Sequence, residues 1–311
     1  MIETTGTAPR IGQRAKKIGQ RTEEIGQRAK KHVKWPPLEQ RDQDRSCWSR
    51  GVGGAHRQPG YGLGVSDPLE PLTELPGVAE AVAAARAAID DVHRHPANRR
   101  GWPATAAEAS VRAARASAAI DGGSAEIPAG GDVTDPILAG ALRVAESIGL
   151  LLATWQRAPL QALARLHVLA AADLVPDRDA DLLGRPRPEP GVSARLDLLA
   201  RLIAGDTSVP APVLSAVVHG ELLTLAPFGT ANGVVARGAA RLTLIASALD
   251  PKGLVVPEVA YLRSGDRYQA AAAEFADGGP AGVGRWVVYC CQALCDGARE
   301  AAGIADAAKP V

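Results

Sequence analysis

The stretch 217–242 reads VVHGELLTLAPFGTANGVVARGAARL, and the interpretation of the whole chain depends on it. An apolar segment with helical spacing leads into a short turn rich in proline and glycine, and a second apolar segment follows. We expect Asn232 and Gly233 to take positive backbone angles, which would leave the first amides of the second helix free. Free amides, the helix dipole and the guanidinium of Arg237 would together bind an anion such as phosphate. Gly229, Asn232, Gly233 and Arg237 are therefore the candidate phosphate-binding residues. The alternative is an ordinary corner between two helices.

Residues 226–237, APFGTANGVVAR, resemble the signature of the Fic (Fido) family, H-P-F-x-[DE]-G-N-G-R-x-x-R. Four positions of the turn are unchanged, and so is the closing Arg237. His219 lies seven residues before the first position, where the family often carries a helical histidine. The chain departs from the signature at four positions: Ala226 replaces the catalytic histidine, Thr230 the metal-binding acid, Ala231 the first glycine and Val234 the first arginine.

The resemblance implies an enzyme family that transfers a nucleotide monophosphate, usually AMP from ATP, to a protein hydroxyl. Alanine at position 226 cannot take a proton, and Thr230 and Val234 remove a magnesium ligand and a phosphate contact. We therefore expect a degenerate, non-catalytic protein that binds ATP, another nucleotide or a protein partner in the old cleft, and magnesium is not expected. Two alternatives stay open. One is an active transferase or hydrolase with rebuilt chemistry that uses His219, and the other is a helical interaction scaffold without a ligand.

A second resemblance lies upstream, in the segment SAAIDGG at 117–123. Its residues predict an alanine-rich helix that ends at a glycine, with an aspartate poorly placed against the negative end of the dipole. It resembles the inhibitory-helix motif S-x-x-x-E-G of the Fic family, with Ser117, Asp121 and Gly122 in the motif positions. The resemblance implies an ion pair between Asp121 and Arg237. The alternative is an unpaired, solvent-facing aspartate at a helix end.

Weaker similarity extends over roughly 69–301. His167 follows a leucine where the family has a helical Leu-His pair, Gly184-Arg185 lies near the family's substrate flap, and 254–261 corresponds to a connecting segment. We expect His167 and His219 to be packed or hydrogen-bonded core side chains. His93 and His95, near a predicted helix end, would interact with the carboxyl-terminal end of that helix.

Composition predicts an all-α protein. Alanine is abundant, aromatic residues make up only 4% of the 311 residues, and no convincing run of alternating strand residues occurs. The proline-rich stretch 184–191 is predicted to be a loop with at most a small β-hairpin flap. The result would be a Fic-like helical bundle over 65–311. The predicted helices are 77–93, 105–121, 136–156, 160–173, 193–204, 211–225, 233–248, 267–276 and 282–302.

Residues 1–64 are predicted to be a disordered basic extension. They contain the repeats IGQRAKK, IGQRTEE and IGQRAKK, which have one strongly apolar residue per seven and a glycine beside it, too little for a stable coiled coil. The first 34 residues carry nine Lys or Arg against three Glu, whereas the whole chain has a net charge of +1. The globular part is therefore mildly acidic, and nucleic-acid binding is not expected there. The alternatives are a basic arm for nucleic acid or membrane, and a translation start near Val65.

The chain has four cysteines, Cys47, Cys290, Cys291 and Cys295, without histidines at metal-binding spacing. Reduced thiols and a cytoplasmic location are the expectation, with no metal site. The first thirty residues lack the apolar run of a signal peptide, and no transmembrane span is expected. The oligomeric state does not follow from these features.

Overall fold

The computed structural model describes residues 67–308, so the predictions for 1–64 and for Cys47 lie outside the described residues. Between Asp67 and Ala308 the chain forms twelve α-helices and no strands, which confirms the all-α prediction. The helices are α1 (Glu70–Thr73), α2 (Val78–Arg94), α3 (Pro96–Arg100), α4 (Trp102–Ile120), α5 (Pro136–Arg157), α6 (Pro159–Ala171), α7 (Val192–Arg201), α8 (Ala211–Leu225), α9 (Asn232–Ala246), α10 (Pro257–Arg263), α11 (Gly265–Ala276) and α12 (Pro280–Ala307).

Several helix boundaries differ from the predicted ones. Helix α10 occupies most of the segment expected to be a connection, because Pro257 begins a seven-residue helix too short to show a periodic pattern. A 3₁₀ helix, Asp177–Leu182, precedes the proline-rich loop, which contains no hairpin. Helix α7 runs into a single π-helical turn, Leu202–Asp206, and α12 continues five residues beyond its predicted end at 302.

The hairpin of α8 and α9 lies at the centre of the bundle. One core cluster joins it to α4–α7 and includes Trp155 and Leu222. A second cluster joins it to α2, α11 and α12 and includes Trp286. Because α8 contributes to both clusters, apolar side chains are buried around most of its circumference. The turn that follows α8 is therefore held between two packed layers.

Helix α5 is long and apolar enough to pass a length-and-composition test for a membrane-crossing helix. Buried core helices of water-soluble proteins pass the same test. Its side chains Leu138, Val144, Ile148 and Trp155 are buried in the first core cluster, so packing within the bundle accounts for its apolar character.

Candidate functional site

The turn between α8 and α9 is held by its own side chains and by left-handed backbone. The Oδ1 of Asn232 accepts a hydrogen bond from the Phe228 amide at 2.9 Å, and its Nδ2 donates to the Phe228 carbonyl at 2.8 Å. The positive φ angles lie at Ala226 and Ala231, at 41° and 57°. The prediction of positive angles at Asn232-Gly233 is wrong, because these residues are already the first turn of α9. An L-residue in this conformation costs about 1 kcal/mol.

The first amides of α9 are not free, because Asp121 occupies that end of the helix. Its Oδ2 accepts a hydrogen bond from the Val234 amide at 3.0 Å, and its Oδ1 lies 2.7 Å from an Nη of Arg237. The ion pair between Asp121 and Arg237 is thus present. Asp121 caps α4, where its charge would meet the negative end of the dipole, and the positive end of α9 compensates for this placement.

Residues at the end of α4 position this carboxylate. The Gly122 amide donates to the Ala119 carbonyl and the Gly123 amide to the Ala118 carbonyl, which is the Schellman pattern that closes a helix. Gly122 has a φ of 85°, a left-handed angle that favours glycine. Asp121 therefore leaves α4 in a fixed direction, towards α9.

Arg237 is buried, with 2% of its side chain exposed, and it donates to three residues, two at the end of α4 and one on α11. Its Nε donates to the Ser117 hydroxyl at 2.8 Å, one Nη donates to the Ser117 carbonyl and to Asp121, and the other lies 3.4 Å from the Tyr268 hydroxyl. Burial alone would lower the pKa of Arg237, but Tyr268 and Asp121 outweigh burial and raise it. Arg237 stays charged and is the fixed cation of the site.

His219 is a buried core residue, as expected. It is 1% exposed, it packs against Tyr261 and Trp286, and its Nε2 is 2.8 Å from the Tyr268 hydroxyl. Burial, together with the charge of Arg237, lowers its pKa to about 3. His219 is therefore neutral near pH 7, and it holds the tyrosine that contacts Arg237.

His167 is also buried and links the turn to the proline-rich loop. Its ring stacks on Phe228 with centroids 4.1 Å apart, and its Nδ1 accepts a hydrogen bond from the Gly184 amide at 2.9 Å. Burial lowers its pKa to about 4, against a smaller opposing effect of the Thr230 backbone. The two nitrogen-bearing rings nearest the turn thus have structural partners.

Arg187, in the middle of the loop, lies over the end of α8. Its amide donates to the Pro227 carbonyl at 2.8 Å, and its guanidinium donates to the carbonyls of Ala226 and Leu225 at 2.9 and 3.2 Å. These are carbonyls that a helix end leaves without partners. Neither this arginine nor Tyr268 could be predicted as a site residue, because neither belongs to a motif. The only feature of the sequence that could have pointed to Arg187 is its position in the proline-rich loop.

His93 and His95 reach across the fold rather than to carbonyls of their own helix. The Nε2 of His93 is 2.8 Å from Asp250, and the Nε2 of His95 is 3.3 Å from Asp306. The Nδ1 of His95 also accepts a hydrogen bond from the Ala97 amide. Both histidines lie at the carboxyl-terminal end of α2, as predicted, although neither ring bonds a carbonyl of that helix. Both rings instead find carboxylates that come from distant parts of the chain.

The arrangement of helices is shared with known structures. A crystal structure of a Fic family protein from Desulfovibrio desulfuricans G20 matches with a TM-score of 0.57, covering 74% of this chain and 76% of that chain. The chain has a Fic-type fold. The sequence identity is 20%, so the likeness concerns the fold alone. No protein-family model matches the chain, and no curated protein matches it.

The resemblance of the turn to the Fic signature implies a magnesium-bound nucleotide there, but the residues present do not fit the metal. Thr230 has no carboxylate, and Val234 is 3% exposed and packs in the first core cluster. Within 67–308 no group of three or more His, Cys, Asp or Glu side chains is arranged to hold a metal ion. The Val234 amide and Arg237 nevertheless both contact a carboxylate, that of Asp121.

Gly233 allows this carboxylate to approach, which gives the first prediction. A Cβ at position 233 would overlap the carboxyl group of Asp121, whereas one at Gly229 would meet nothing within 4 Å. We expect Gly233→Ala to lower the free energy of unfolding by about 1–3 kcal/mol, because Asp121 must leave its two partners. Gly229→Ala is the matched control and should change it by less than about 0.5 kcal/mol. Urea unfolding measures both, and equal effects would contradict the close approach.

Proposed function

We propose that this protein is a non-catalytic, Fic-fold nucleotide-binding protein. Its anion site is the amino-terminal end of α9 with Arg237, and Asp121 keeps that site closed until a nucleotide phosphate displaces it. The observation that carries this proposal is the Asp121 carboxylate itself, held by the Val234 amide and by Arg237. Groups that bind a carboxylate in this way also bind phosphate oxygens.

Access to the site supports an exchange of Asp121 for a ligand. Arg237 is buried, but 24% of the Asp121 side chain is exposed, so the carboxylate lies at the solvent boundary of the site. Rotation of one side chain out of the turn would uncover the Val234 amide and one edge of the guanidinium.

The side chains around the turn support binding without catalysis. A phosphoryl or nucleotidyl transfer needs a group that takes the proton of the attacking hydroxyl. Ala226 has no group that accepts a proton. His219 is buried in the core, where its ring is hydrogen-bonded to the Tyr268 hydroxyl. We therefore expect nucleotide binding without transfer to protein targets.

The test is a calorimetric titration of ATP, in the absence of magnesium, into the full chain and into Asp121→Gly. We expect Asp121→Gly to bind ATP at least about tenfold more tightly, because the ligand no longer competes with an internal carboxylate. The matched control is Asp277→Gly. Asp277 also caps a helix, is followed by two glycines, and lies on the exposed end of α11 away from the turn.

The outcomes separate the three functional hypotheses. Equal affinity of the unmodified protein, Asp121→Gly and Asp277→Gly for ATP would make the turn a structural relic and favour a ligand-free scaffold. Transfer of labelled AMP to protein, lost in His219→Ala, would instead favour an active transferase. Capture of a protein partner that requires Asp121 to be paired would identify the turn as a protein-binding site.

A further inference from the structure

A cavity that includes none of the residues of the turn lies between α12 and helices α4, α10 and α11. Its volume is about 670 Å³, within the roughly 300–1,000 Å³ typical of small-molecule sites. Four guanidiniums line it, those of Arg112, Arg263, Arg267 and Arg299. Only two carboxylates line the cavity, those of Asp296 and Glu300. The cavity therefore has an excess of positive charge in a mildly acidic globular part.

The ion pairs within the cavity show where that excess resides. Glu300, 15% exposed, is shared by Arg112 at 2.6 Å and Arg263 at 3.2 Å. Arg299 pairs with Asp296 on its own helix. Among the described residues Arg267 forms no ion pair, and its guanidinium lies 6.0 Å from the centre of the Tyr289 ring. The uncompensated cation is therefore positioned by an aromatic side chain rather than by an acid.

The groups beside Arg267 suit a phosphate more than an isolated carboxylate. Arg112 also pairs with Glu108 at 2.8 Å, whereas Arg263 has an exposed guanidinium of which one nitrogen lies near Glu300, so its other nitrogens can donate to a further anion. The Ser264 hydroxyl donates to the Ala260 carbonyl and lies 2.8 Å from the Tyr289 hydroxyl, so these two groups are bonded within the wall and leave the ligand to the guanidiniums. Two planar guanidiniums match the several oxygens and double charge of a phosphate monoester.

The size of the cavity indicates more than a bare phosphate. Four helices form its walls, so it is a pocket rather than a flat basic surface. Gln292, exposed on α12, offers an amide donor and acceptor beyond the arginines. We propose that this cavity binds a phosphorylated small molecule of about mononucleotide size, with its phosphate on Arg263 and Arg267 and its sugar or ring along α12 near Gln292.

The experiment titrates AMP, ribose 5-phosphate and inorganic phosphate into the full chain by calorimetry at low ionic strength, with adenosine as a probe without phosphate. We expect saturable binding of AMP or ribose 5-phosphate that is weakened at least about tenfold in Arg267→Gln and in Arg263→Gln. Arg285→Gln is the matched control, because Arg285 lies on α12 outside the cavity and pairs with Glu274. It should bind as the unmodified protein does. Circular dichroism checks that each variant is folded.

The same titrations in Asp121→Gly separate this cavity from the turn. Binding that depends on Arg267 and not on Asp121 belongs to the cavity, and its absence would not affect the proposed function. The proposal is overturned if neither AMP nor ribose 5-phosphate saturates, or if Arg267→Gln and Arg285→Gln behave alike. It is also overturned if inorganic phosphate binds as tightly as AMP, or if a phosphoserine peptide binds more tightly and depends on Arg267.

Discussion

Arg237→Ala is expected to lower the free energy of unfolding by about 3–5 kcal/mol, as removal of one partner of a buried charge pair usually does. The guanidinium is 2% exposed and donates to groups from α4 and α11. Without it, the Ser117 carbonyl and the Tyr268 hydroxyl lose a donor inside the core, and Asp121 keeps only the Val234 amide. Asp121 is partly exposed and can form a hydrogen bond with water in place of Arg237. Ser117 and Tyr268 are buried and cannot.

The matched control is Arg195→Ala. Arg195 pairs with Glu221 at 2.6 Å, but 44% of its side chain is exposed, so its loss should cost less than about 1 kcal/mol. Urea unfolding followed by tryptophan fluorescence measures both variants. The Asp121→Gly/Arg237→Ala double variant should be less destabilised than the sum of the single changes, since the two residues are in contact. If Arg237→Ala costs no more than Arg195→Ala, the network around Arg237 does not stabilise the fold.

Arg237→Ala should also abolish ATP binding at the turn. Arg237 is the only cation in contact with Asp121 among the described residues, so the anion site would retain only the α9 amides. In an Asp121→Gly background we expect Arg237→Ala to remove the gain in ATP affinity, measured by the same calorimetry. An unchanged affinity would move the ligand away from the turn, to a site such as the cavity at Arg267.

Gly140→Ala is expected to lower the free energy of unfolding by about 3 kcal/mol, at the upper end for an overpacked core position. A Cβ at residue 140 would overlap the carbonyl oxygen of Ala170, because α5 and α6 are in backbone contact there. A backbone atom cannot move aside as a flexible side chain does, so the two helices would have to separate. That displacement would disturb the packing of Leu138 and Leu166 in the first core cluster.

Gly149→Ala on the same helix is the control for this prediction. A Cβ there would meet nothing within 4 Å, so the change should raise the free energy of unfolding by up to about 1 kcal/mol, the difference in helix propensity between the two residues. Thermal unfolding followed by circular dichroism distinguishes the two variants by the sign of the shift. Stabilisation by both changes would contradict the close approach of α5 and α6.

The sequence permitted prediction of the elements whose signals are local. The hairpin around the turn was recognisable from a helical pattern interrupted by proline and glycine, and the pair Asp121–Arg237 from two motifs in order. The position of the positive φ was wrong because the Asn232 side chain, bonded to the Phe228 backbone, starts α9 earlier than expected. Whether the Asn232 side chain forms these hydrogen bonds depends on the geometry of the folded turn and not on residue type alone.

Other parts depended on contacts that no short pattern encodes. Tyr268 and His219 are 49 residues apart in sequence, and their 2.8 Å contact results from the packing of α11 on α8. Arg187 reaches α8 because the loop after α6 is fixed by His167. Helix α10 has only seven residues, fewer than a periodic pattern needs to stand out. Its position follows from tertiary packing on α4 and α12.

The pairing of α2 with α12 has a consequence for how the protein folds during synthesis. These helices are far apart in sequence, yet Val78, Ile89 and Val287 belong to one core cluster. Domains begin to fold as they leave the ribosome, from the amino-terminal side. Helix α2 therefore emerges long before its main partner, and part of its apolar face stays uncovered until residues 280–307 have been translated. A nascent chain that stalls before α12 would expose that face and would be a substrate for chaperones.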